Sequence, residues 1–349
     1  MKNKSDVVAV VGAGIYGSTI AIKLARSGVN VDLYDEIGIL GGASSINQFR
    51  VHSGYHYPRS DETIEEVISS RSEFMEEYSE AIVGGVKNYY AMPHVGSRVT
   101  SEYYEDTMKR FDLKLDDVRL DWVDYSFISK TWLVDENIYC PKILKKLLQC
   151  EIESLNINFM KKLFHPSLED RYENVIYATY GIGSTAKSLF SNVKYQLAEK
   201  IKISLPSAIQ KVSLVVVDGP FTAFDPLGNN GFSQFGSAKH TNHWETNCYP
   251  FEVPCGYSEL INAPQYIKTQ LTNFSLMRDE AVQVTQLAKE AKYLGSKFTI
   301  RVVEDDPLSD KRVLYVKKLD KKIYVFSGKV VGAIKAAKIV QDMILTRVC

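Results

Sequence analysis

The sequence lacks an excess of charge of either sign, and it lacks long apolar runs. Its 349 residues include 42 Lys and Arg and 42 Asp and Glu, which gives a formal net charge of zero. Nucleic-acid-binding proteins usually show a basic excess, so we expect no nucleic-acid partner. No apolar run approaches the length of about 18 residues that a membrane-spanning helix needs, so we expect no transmembrane segment.

Cysteine is also scarce. The chain has 5 cysteines, and none of them forms a CxxC pair. An odd number in a long chain argues against a disulfide framework and for a reducing compartment. Met1–Lys4 followed by the apolar run Val7–Val11 superficially resembles a signal peptide, but that run is short and glycines interrupt the residues after it. We therefore expect a cytoplasmic protein.

The beginning of the chain carries the pattern of a complete βαβ unit. Val7–Val11 is a β-branched run typical of a strand in a parallel sheet. Apolar residues at helical spacing then predict a helix over Ser18–Ser27, with Gly28 at its C-cap. Val29–Tyr34 is predicted to be the second strand.

A GxGxxG motif joins the first strand to the helix. This is the context in which such glycines allow a tight turn, close approach to a pyrophosphate and close helix–strand packing. Asp35 ends the second strand, where a carboxylate accepts hydrogen bonds from an adenosine ribose, and Glu36 is an alternative ribose ligand. The motif consists of Gly12, Ala13, Gly14, Ile15, Tyr16 and Gly17.

The polar segment 41–60 comes after the second strand, and it is long for a connection without periodicity. Together with the glycine motif and Asp35, its residues Gly42-Ala43-Ser44-Ser45-Ile46-Asn47 resemble the D-amino-acid-oxidase-type FAD-dependent oxidoreductases. That family includes glycine and sarcosine oxidases, L-2-hydroxyglutarate dehydrogenase and flavin-linked glycerol-3-phosphate dehydrogenase. Val51–Tyr57 is similar to the His-Ala-Gly segment of the hydroxyglutarate enzyme.

Two later segments extend this resemblance. Val175–Gly181 resembles the strand and glycine that the family places over the adenine side, which implies that Gly181 contacts the cofactor. Ser327-Gly328-Lys329 resembles the Gly-Gly-Lys that opens the last helix of glycerol-3-phosphate dehydrogenase. Arg312 stands where amino-acid oxidases carry an arginine segment, but the pattern around it is weak, which argues against a simple amino-acid substrate.

The resemblance implies an α/β fold, in which an antiparallel β-sheet substrate domain interrupts a Rossmann-like FAD-binding domain. Strand–helix signals at both ends of the chain and hairpin signals between them agree with this arrangement. We expect the FAD-binding domain over 1–85, 135–194 and 305–349, and the substrate domain over 86–134 and 195–304.

The same resemblance supplies candidate flavin ligands. Gly328 would let backbone N–H groups approach the flavin, and the helix starting near Lys329 and Val330 would direct its positive end there. Lys329 would add a full positive charge next to the flavin. The alternative is a lysine at a helix start that is only solvated and does not contact the cofactor. Hydroxyls and amides of Ser44, Ser45 and Asn47 would bond the ring edge, unless they only cap their own turn.

His52 is the candidate catalytic base, because imidazole titrates near neutral pH. The alternative is a histidine that only packs against the flavin. Arg50, His52 and Tyr55 are candidate substrate ligands, with a structural role for Arg50 as its alternative. Neither the His52 pair with His56 nor the loop expected over 238–244, with its two histidines, matches a metal template, so we expect no metal.

These residues predict an FAD-dependent oxidoreductase. It would oxidise a C–O or C–N bond of a small polar, hydroxy- or amino-acid-like substrate by hydride transfer to flavin N5. Its partners would be that small molecule and an electron acceptor that the sequence does not identify. Three alternatives remain: a flavoprotein that isomerises sugars, a catalytically silent FAD-binding protein, and an NAD(P)-dependent dehydrogenase.

Overall fold

The computed structural model describes residues 7–190, 192–306 and 308–346. Met1–Lys4 and Cys349 lie outside the described residues. Helices and strands are numbered in chain order. The helices α1 to α7 are Ile15–Arg26, Asp61–Glu77, Ser101–Arg110, Pro141–Ser154, Ser184–Leu189, Phe274–Val284 and Ala333–Leu345. The strands β1 to β9 are Val7–Val11, Asn30–Tyr34, Arg50–Val51, Ile82–Val83, Lys87–Pro93, Leu115–Asp117, Ile128–Val134, Asn137–Tyr139 and Asn158–Met160. The strands β10 to β18 are Asn174–Tyr177, Val193–Ser204, Val212–Val216, Thr222–Pro226, Ser233–Ser237, Asn242–Thr246, Lys292–Glu304, Tyr315–Leu319 and Lys322–Phe326.

A six-stranded sheet contains the first and the last strand of the described chain, in the order β17-β18-β10-β1-β2-β9. Its strands pair in parallel except β17, which pairs antiparallel with β18. The middle three residues of β1 are buried, as a strand covered on both faces requires. Helices α1 and α7 pack against each other, and the core that they share includes Ile20, Leu24 and Val340.

The middle of the chain forms a nine-stranded sheet in the order β15-β11-β14-β13-β12-β5-β7-β6, with β16 paired to β11. Its pairs are antiparallel except β5 with β12. The pair Asn230-Gly231 is one of the hairpin signals in the middle of the chain, and the hairpin around it is present as β13 and β14, closed by the bond from Leu227 N–H to the Phe232 carbonyl. A small third sheet, β3-β8-β4, includes part of segment 41–60.

The parallel and antiparallel sheets confirm the predicted α/β fold class. Almost all of the nine-stranded sheet falls within 86–134 and 195–304, although β11 begins two residues earlier, at Val193. The division into two domains itself stays a prediction.

The loop expected over 238–244 is wrong in part, because Asn242–Thr246 is strand β15 and pairs with β11. The cysteines among the described residues are unpaired. No helix in the described ranges combines the length and the apolar character that crossing a membrane requires.

Candidate cofactor and substrate site

A cavity of about 810 Å³ opens at the carboxyl ends of β1, β2 and β10. In open α/β sheets, ligands bind at this edge. Most of the predicted cofactor ligands line it. These are Gly12, Gly14, Ile15, Tyr16, Asp35, Glu36, Gly42, Ala43, Ser44, Asn47, Gly328, Lys329 and Val330.

The glycine motif builds the floor of the cavity. Gly12 has φ of 99°, and a Cβ there would lie 2.6 Å from the Ala178 carbonyl oxygen at the end of β10. At Gly17 a Cβ would lie 1.7 Å from the Gly12 carbonyl oxygen, so α1 approaches the turn too closely for any side chain. Ala13 and Gly17 are buried behind the turn and shape it without lining the cavity.

Asp35 is tied to the glycine turn. Its Oδ2 accepts from Ala13 N–H at 2.7 Å, and its Oδ1 accepts from the N–H groups of Ile37 and Gly38, each at 2.8 Å. A carboxylate has about four acceptor positions, so Asp35 retains room for a ribose hydroxyl. Glu36 is exposed and also lines the cavity. Both ribose ligands therefore stay open as predictions.

Segment 41–60 reaches the start of α1. Ser44 Oγ accepts from Ile15 N–H at 3.0 Å and so caps one of the backbone donors at the helix N-terminus. Asn47 donates to the Ser44 carbonyl at 3.1 Å and accepts from Phe49 N–H at 2.6 Å. Ser45 bonds the Gly42 carbonyl within its own turn and does not line the cavity. Ser45 therefore caps its own turn, as the alternative interpretation predicts. Asn47 also bonds within this turn, although it lines the cavity.

The turn between β18 and α7 closes the opposite side. Tyr16 donates its hydroxyl hydrogen to the Lys329 carbonyl, which ties the glycine motif to this turn. The Lys329 ammonium lies 4.1 Å from the centre of the Tyr57 ring. Burial lowers the pKa of Lys329 to about 7. Among the described residues, no carboxylate forms a salt bridge with it.

Sequence reasoning missed several parts of the lining. The stretch after β10 contributes on both sides of Gly181, while Gly181 itself packs against Phe326. The resemblance over Val175–Gly181 pointed to this stretch, because the carboxyl end of its strand reaches the same edge of the sheet, but it named Gly181 and not the neighbours of Gly181. No local signal marked the contributions from the middle of the chain. The missed residues include Phe164, Tyr177, Thr179, Tyr180, Tyr249, Asn262, Thr299 and Ser327.

Arg50 occupies a buried ion-pair network. Its guanidinium lies 2.7 Å from Glu136 and 2.6 Å from Asp225, and all three side chains are fully buried. It also donates to Ser213 Oγ. Arg50 lies outside the cavity lining, and two carboxylates already neutralise its charge. These contacts fit the alternative in which Arg50 has a structural role.

His52 adjoins this network. Its Nδ1 lies 3.3 Å from a Glu136 oxygen, and burial together with the charge of Lys329 lowers the pKa of His52 to about 4. Burial opposes ionisation of Glu136, but His52, Arg50 and the Ser53 amide hold its pKa below the usual range. A neutral His52 beside an anionic Glu136 carries its proton on Nδ1, which leaves Nε2 as an acceptor.

Unpartnered atoms surround His52 on its other side. His56 Nδ1 and the Tyr57 hydroxyl are buried without a hydrogen-bond partner, and both rings lie within 5.6 Å of the His52 ring. Neither these three residues nor Tyr55 belongs to the cavity lining, which Lys329 reaches. Tyr55 donates to the Lys114 carbonyl at 3.0 Å. The structure thus brings His52, His56, Tyr57 and Lys329 together, but not Tyr55.

The fold and this cavity define a class of protein. Residues 7–129 match the DAO family model, described as "FAD dependent oxidoreductase". The chain therefore carries an FAD-dependent oxidoreductase domain of the DAO family, whose cofactor is FAD. This confirms the family and the cofactor that the sequence resemblance implied.

Two curated relatives are more specific. The chain is 26% identical over 243 residues to the FAD-dependent monooxygenase FPY4 of Fusarium mangiferae, a match that covers 66% of this chain and 64% of that protein. It is 31% identical over 105 residues to the FAD-dependent monooxygenase kojA of Aspergillus flavus, covering 28% of this chain and 24% of that protein. The matches thus span less than two thirds of the length of these curated relatives.

Solved structures share the fold over nearly the whole chain. Glycine oxidase from Geobacillus kaustophilus superposes with a TM-score of 0.72 at 13% identity, covering 97% of this chain and 94% of that one. L-proline dehydrogenase from P. horikoshii superposes with a TM-score of 0.67 at 13% identity, covering 99% of this chain and 94% of that one. At such identities these likenesses establish the fold alone.

The residues present fit FAD. Gly12 and Gly14 line the cavity without side chains, and Gly17 lets α1 begin directly behind them, which suits the approach of a pyrophosphate. At the other end, the unpartnered Tyr57 hydroxyl and His56 Nδ1 beside the Lys329 ammonium suit a polar ring edge or a substrate. Asp35 or Glu36 would bind the ribose of the adenosine half, near the glycine turn.

Proposed function

We propose that this protein oxidises a C–O or C–N bond of a small, polar, hydroxy- or amino-acid-like substrate. The supporting observation is that one cavity joins the dinucleotide-binding turn to the Lys329 turn, and that the Lys329 ammonium lies over the Tyr57 ring, which in turn packs against the buried His52. When bound, FAD supplies the acceptor for the hydride that leaves the substrate. The residues of this chain bind and orient the substrate, exclude water and accept a proton.

His52 is the proton acceptor in this proposal. Its lowered pKa keeps the imidazole neutral, which is the form that can take a proton from a hydroxyl or an ammonium group. Glu136 fixes the tautomer and stabilises the imidazolium once it forms. Arg50 and Tyr90 both donate to the second Glu136 oxygen, so the carboxylate cannot rotate away from His52.

Lys329 is the electrostatic partner. A half-buried ammonium that has no carboxylate partner among the described residues favours a negative charge next to it, on the reduced cofactor or on an acidic substrate. Tyr16 positions this lysine by holding its backbone carbonyl. In this proposal the Lys329 ammonium stabilises the negative charge of an acidic substrate or of the reduced cofactor.

The first experiment is the visible spectrum of the purified protein, before and after denaturation. The two absorption bands of oxidised flavin, released on denaturation, are the expected result. Anaerobic addition of amino acids and hydroxy acids should then bleach the bands, and His52→Ala should slow that bleaching while FAD stays bound. A colourless protein that takes up no added FAD would overturn the proposal, and an unchanged bleaching rate would remove His52 from it.

Monooxygenation is a second candidate, favoured by the names of the two curated relatives. Isotopically labelled dioxygen separates the two reactions, because a monooxygenase transfers one labelled oxygen atom to its product. An oxidase or dehydrogenase transfers none.

Three further parts of the proposal rest on the sequence alone. We infer a cytoplasmic location from the small, odd number of cysteines. We infer no nucleic-acid partner from the neutral composition. We infer a small-molecule substrate and an electron acceptor still to be identified from the family resemblance. We also propose an FAD-binding domain over 1–85, 135–194 and 305–349, and a substrate domain over 86–134 and 195–304.

A further inference from the structure

A long connection between β15 and α6 reaches the cofactor cavity. It covers residues 247–273, contains no helix and no strand of its own, and is called the arm below. Two of its residues, Tyr249 and Asn262, line the cavity. Ordered loops of this length are usually functional, because irregular backbone is otherwise kept short in compact domains.

The arm has a defined position on the nine-stranded sheet. Two isolated β-bridges, from Ile261 and from Ile267, join it to β16. Its end is anchored by Glu199, whose fully buried carboxylate accepts from Asn273 N–H at 3.0 Å. The arm is therefore held against the strand that contributes Thr299 to the cavity lining.

Asn262 has a backbone conformation that few residues adopt. Its φ is 58°, in the left-handed region, and its N–H donates to the Phe298 carbonyl at 2.7 Å. Asparagine tolerates this conformation better than most residues that have a Cβ. With the backbone held in this way, the Asn262 side chain belongs to the cavity lining.

The amide of Asn262 has its oxygen bonded and its nitrogen available. Thr299 Oγ1 donates to Asn262 Oδ1 at 2.7 Å, so the other branch of the amide, Nδ2, points away from Thr299. Among the described residues, no hydrogen bond uses Nδ2. This nitrogen carries two donor hydrogens. The side chain therefore offers donors to a ligand in the cavity.

This amide lies next to the turn at which a dinucleotide phosphate binds. Asn262 Oδ1 would be 3.9 Å from a Cβ added at Gly42, and β16 lies against the single helical turn Ala43–Ser45. Ser44 in that turn bonds Ile15 N–H at the start of α1, where a diphosphate is expected. Asn262 thus belongs to the part of the cavity that would receive the diphosphate.

The glycine turn supplies only some of the donors that a diphosphate requires. The N–H groups of Gly12, Ala13 and Ile15 already bond acceptors within the protein. A diphosphate has several charged oxygens, and charged acceptors form the strongest hydrogen bonds. Donors from outside the turn would meet the remaining demand.

We propose that Asn262 donates its side-chain amide to the diphosphate of FAD, and that Thr299 is a positioning residue that orients this amide. The arm thereby closes the cofactor site from the middle of the chain. Neither residue lies within 7–129, the part of the chain that matches the family model. The inference concerns retention of the cofactor and holds whichever bond the protein oxidises.

The test measures the dissociation constant of FAD from the flavin fluorescence that appears when the FAD-loaded protein is diluted. Asn262→Gly keeps the left-handed backbone unstrained and removes the amide, so we expect about a tenfold higher dissociation constant. Asn262→Asp keeps the acceptor for Thr299 but turns a carboxylate oxygen toward the phosphates. We expect that variant to raise the dissociation constant about a hundredfold or more.

Competing nucleotides assign the contact to the diphosphate. ADP carries a diphosphate and adenosine carries none, and the displacement of FAD from the loaded protein gives the affinity of each. Asn262→Asp should weaken ADP and leave adenosine as it is in the wild type. Thr299→Val should show the same selective loss to a smaller extent, and Thr299→Ser, which keeps the hydroxyl, should bind both as the wild type does.

Asn156 provides the matched control. It is also an asparagine in the left-handed region, with φ of 52°, but it is exposed and lies outside the cavity lining. Asn156→Gly and Asn156→Asp make the same chemical changes at the same backbone conformation. We expect both variants to retain FAD as the wild type does.

A loss of FAD and ADP affinity that spares adenosine supports the contact. Unchanged FAD binding in both Asn262 variants overturns it, and so do equal losses of ADP and adenosine, which would show a disturbed cavity. If Thr299→Val alone behaves as the wild type, Thr299 does not position the amide. The proposed oxidation is tested separately by anaerobic bleaching, so either conclusion can fail without the other.

Discussion

Lys329 is a half-buried cation in the cavity lining, and its charge changes within the physiological pH range. Burial removes much of the hydration that stabilises an ammonium, and the Tyr57 ring offers only a weak substitute. With a pKa of about 7, the side chain is protonated below neutrality and loses its charge above it. The site beside the flavin therefore becomes less positive as pH rises.

Lys329→Met should weaken binding of sulfite to the FAD-loaded protein, because sulfite adds negative charge to the flavin. We expect about a tenfold higher dissociation constant below neutral pH, a loss of about 1.4 kcal/mol. The ratio between variant and wild type should approach one above pH 7, where the wild-type lysine is neutral. This ratio cancels the ionisation of sulfite itself. Lys338→Met, on the exposed face of α7, is the control, and a constant ratio across pH would contradict the assignment.

Asp35→Ala should weaken FAD binding by about 1.5–3 kcal/mol, the loss of a charge-assisted hydrogen bond. The variant also leaves Ala13 N–H without its acceptor, which loosens the glycine turn. Flavin fluorescence, quenched on binding, gives the dissociation constant. Glu36→Ala is the matched variant, since the two carboxylates are neighbours. If only Glu36→Ala raises the dissociation constant, the ribose ligand is Glu36.

At the scale of residues, the sequence predicts the features that a local pattern encodes. The GxGxxG turn and Lys329 are recognisable because a strand precedes them and a helix comes after them. Glu136, Asp225 and Asn262 give no such signal, because each is defined by neighbours on strands distant in the chain. Arg50 is recognisable as a candidate, but its neutralisation is not, since the nearer of its two carboxylate partners is 86 residues away in sequence.

At the scale of elements, the contact between β1 and α1 depends on the absence of side chains at the turn. Gly17 is the strictest case, because even a methyl group there would overlap the Gly12 carbonyl. The helix begins at Ile15, directly after the glycine turn, three residues earlier than the apolar periodicity predicts. Apolar periodicity identifies only the buried face of a helix. It therefore does not predict the first turn of α1, which lies in the glycine motif.

Gly17→Ala should separate α1 from β1 and abolish FAD binding, with a loss of stability in the range of severe overpacking, about 1–3 kcal/mol or more. Gly84→Ala is the matched control, because a Cβ there meets nothing within 4 Å. We expect that control to stay within about 0.5 kcal/mol of wild type. Chemical denaturation and FAD retention measure both effects, and similar behaviour of the two variants would contradict the argument.

Isolated strands are harder to predict than the hairpin between them. Phe221–Phe235 contains its own turn signal, and β13 and β14 pair locally. Asn242–Thr246 pairs with β11, whose partner residues lie 44 to 51 positions earlier in sequence. A pairing of that kind leaves no trace in the local pattern, so the local sequence predicts a loop where the fold has a strand.

At the scale of the whole molecule, the cavity joins segments from the beginning, the middle and the end of the chain. Its lining includes Gly12, Tyr177, Thr299 and Lys329. A ligand that contacts all of these segments binds the folded chain and not the unfolded one. FAD is therefore expected to contribute directly to the stability of the fold.

Added FAD should raise the thermal midpoint of the protein stripped of its cofactor, and the increase should continue with FAD concentration. At a concentration one hundred times the dissociation constant, linkage predicts about 2.7 kcal/mol of added stability. Differential scanning calorimetry at fixed protein concentration measures it, with AMP as a control that contacts only the adenosine side. A midpoint independent of FAD would contradict the proposed site.

The strand order of the parallel sheet has a consequence for synthesis in the cell. β1 lies between β2 and β10, and β10 pairs on its other side with β18, which ends at Phe326. A nascent chain still attached to the ribosome therefore holds its glycine turn long before the Lys329 side of the pocket has emerged. Capture of FAD becomes a late event of biogenesis, and the unfinished chain presents an open sheet edge to chaperones until the last strand arrives.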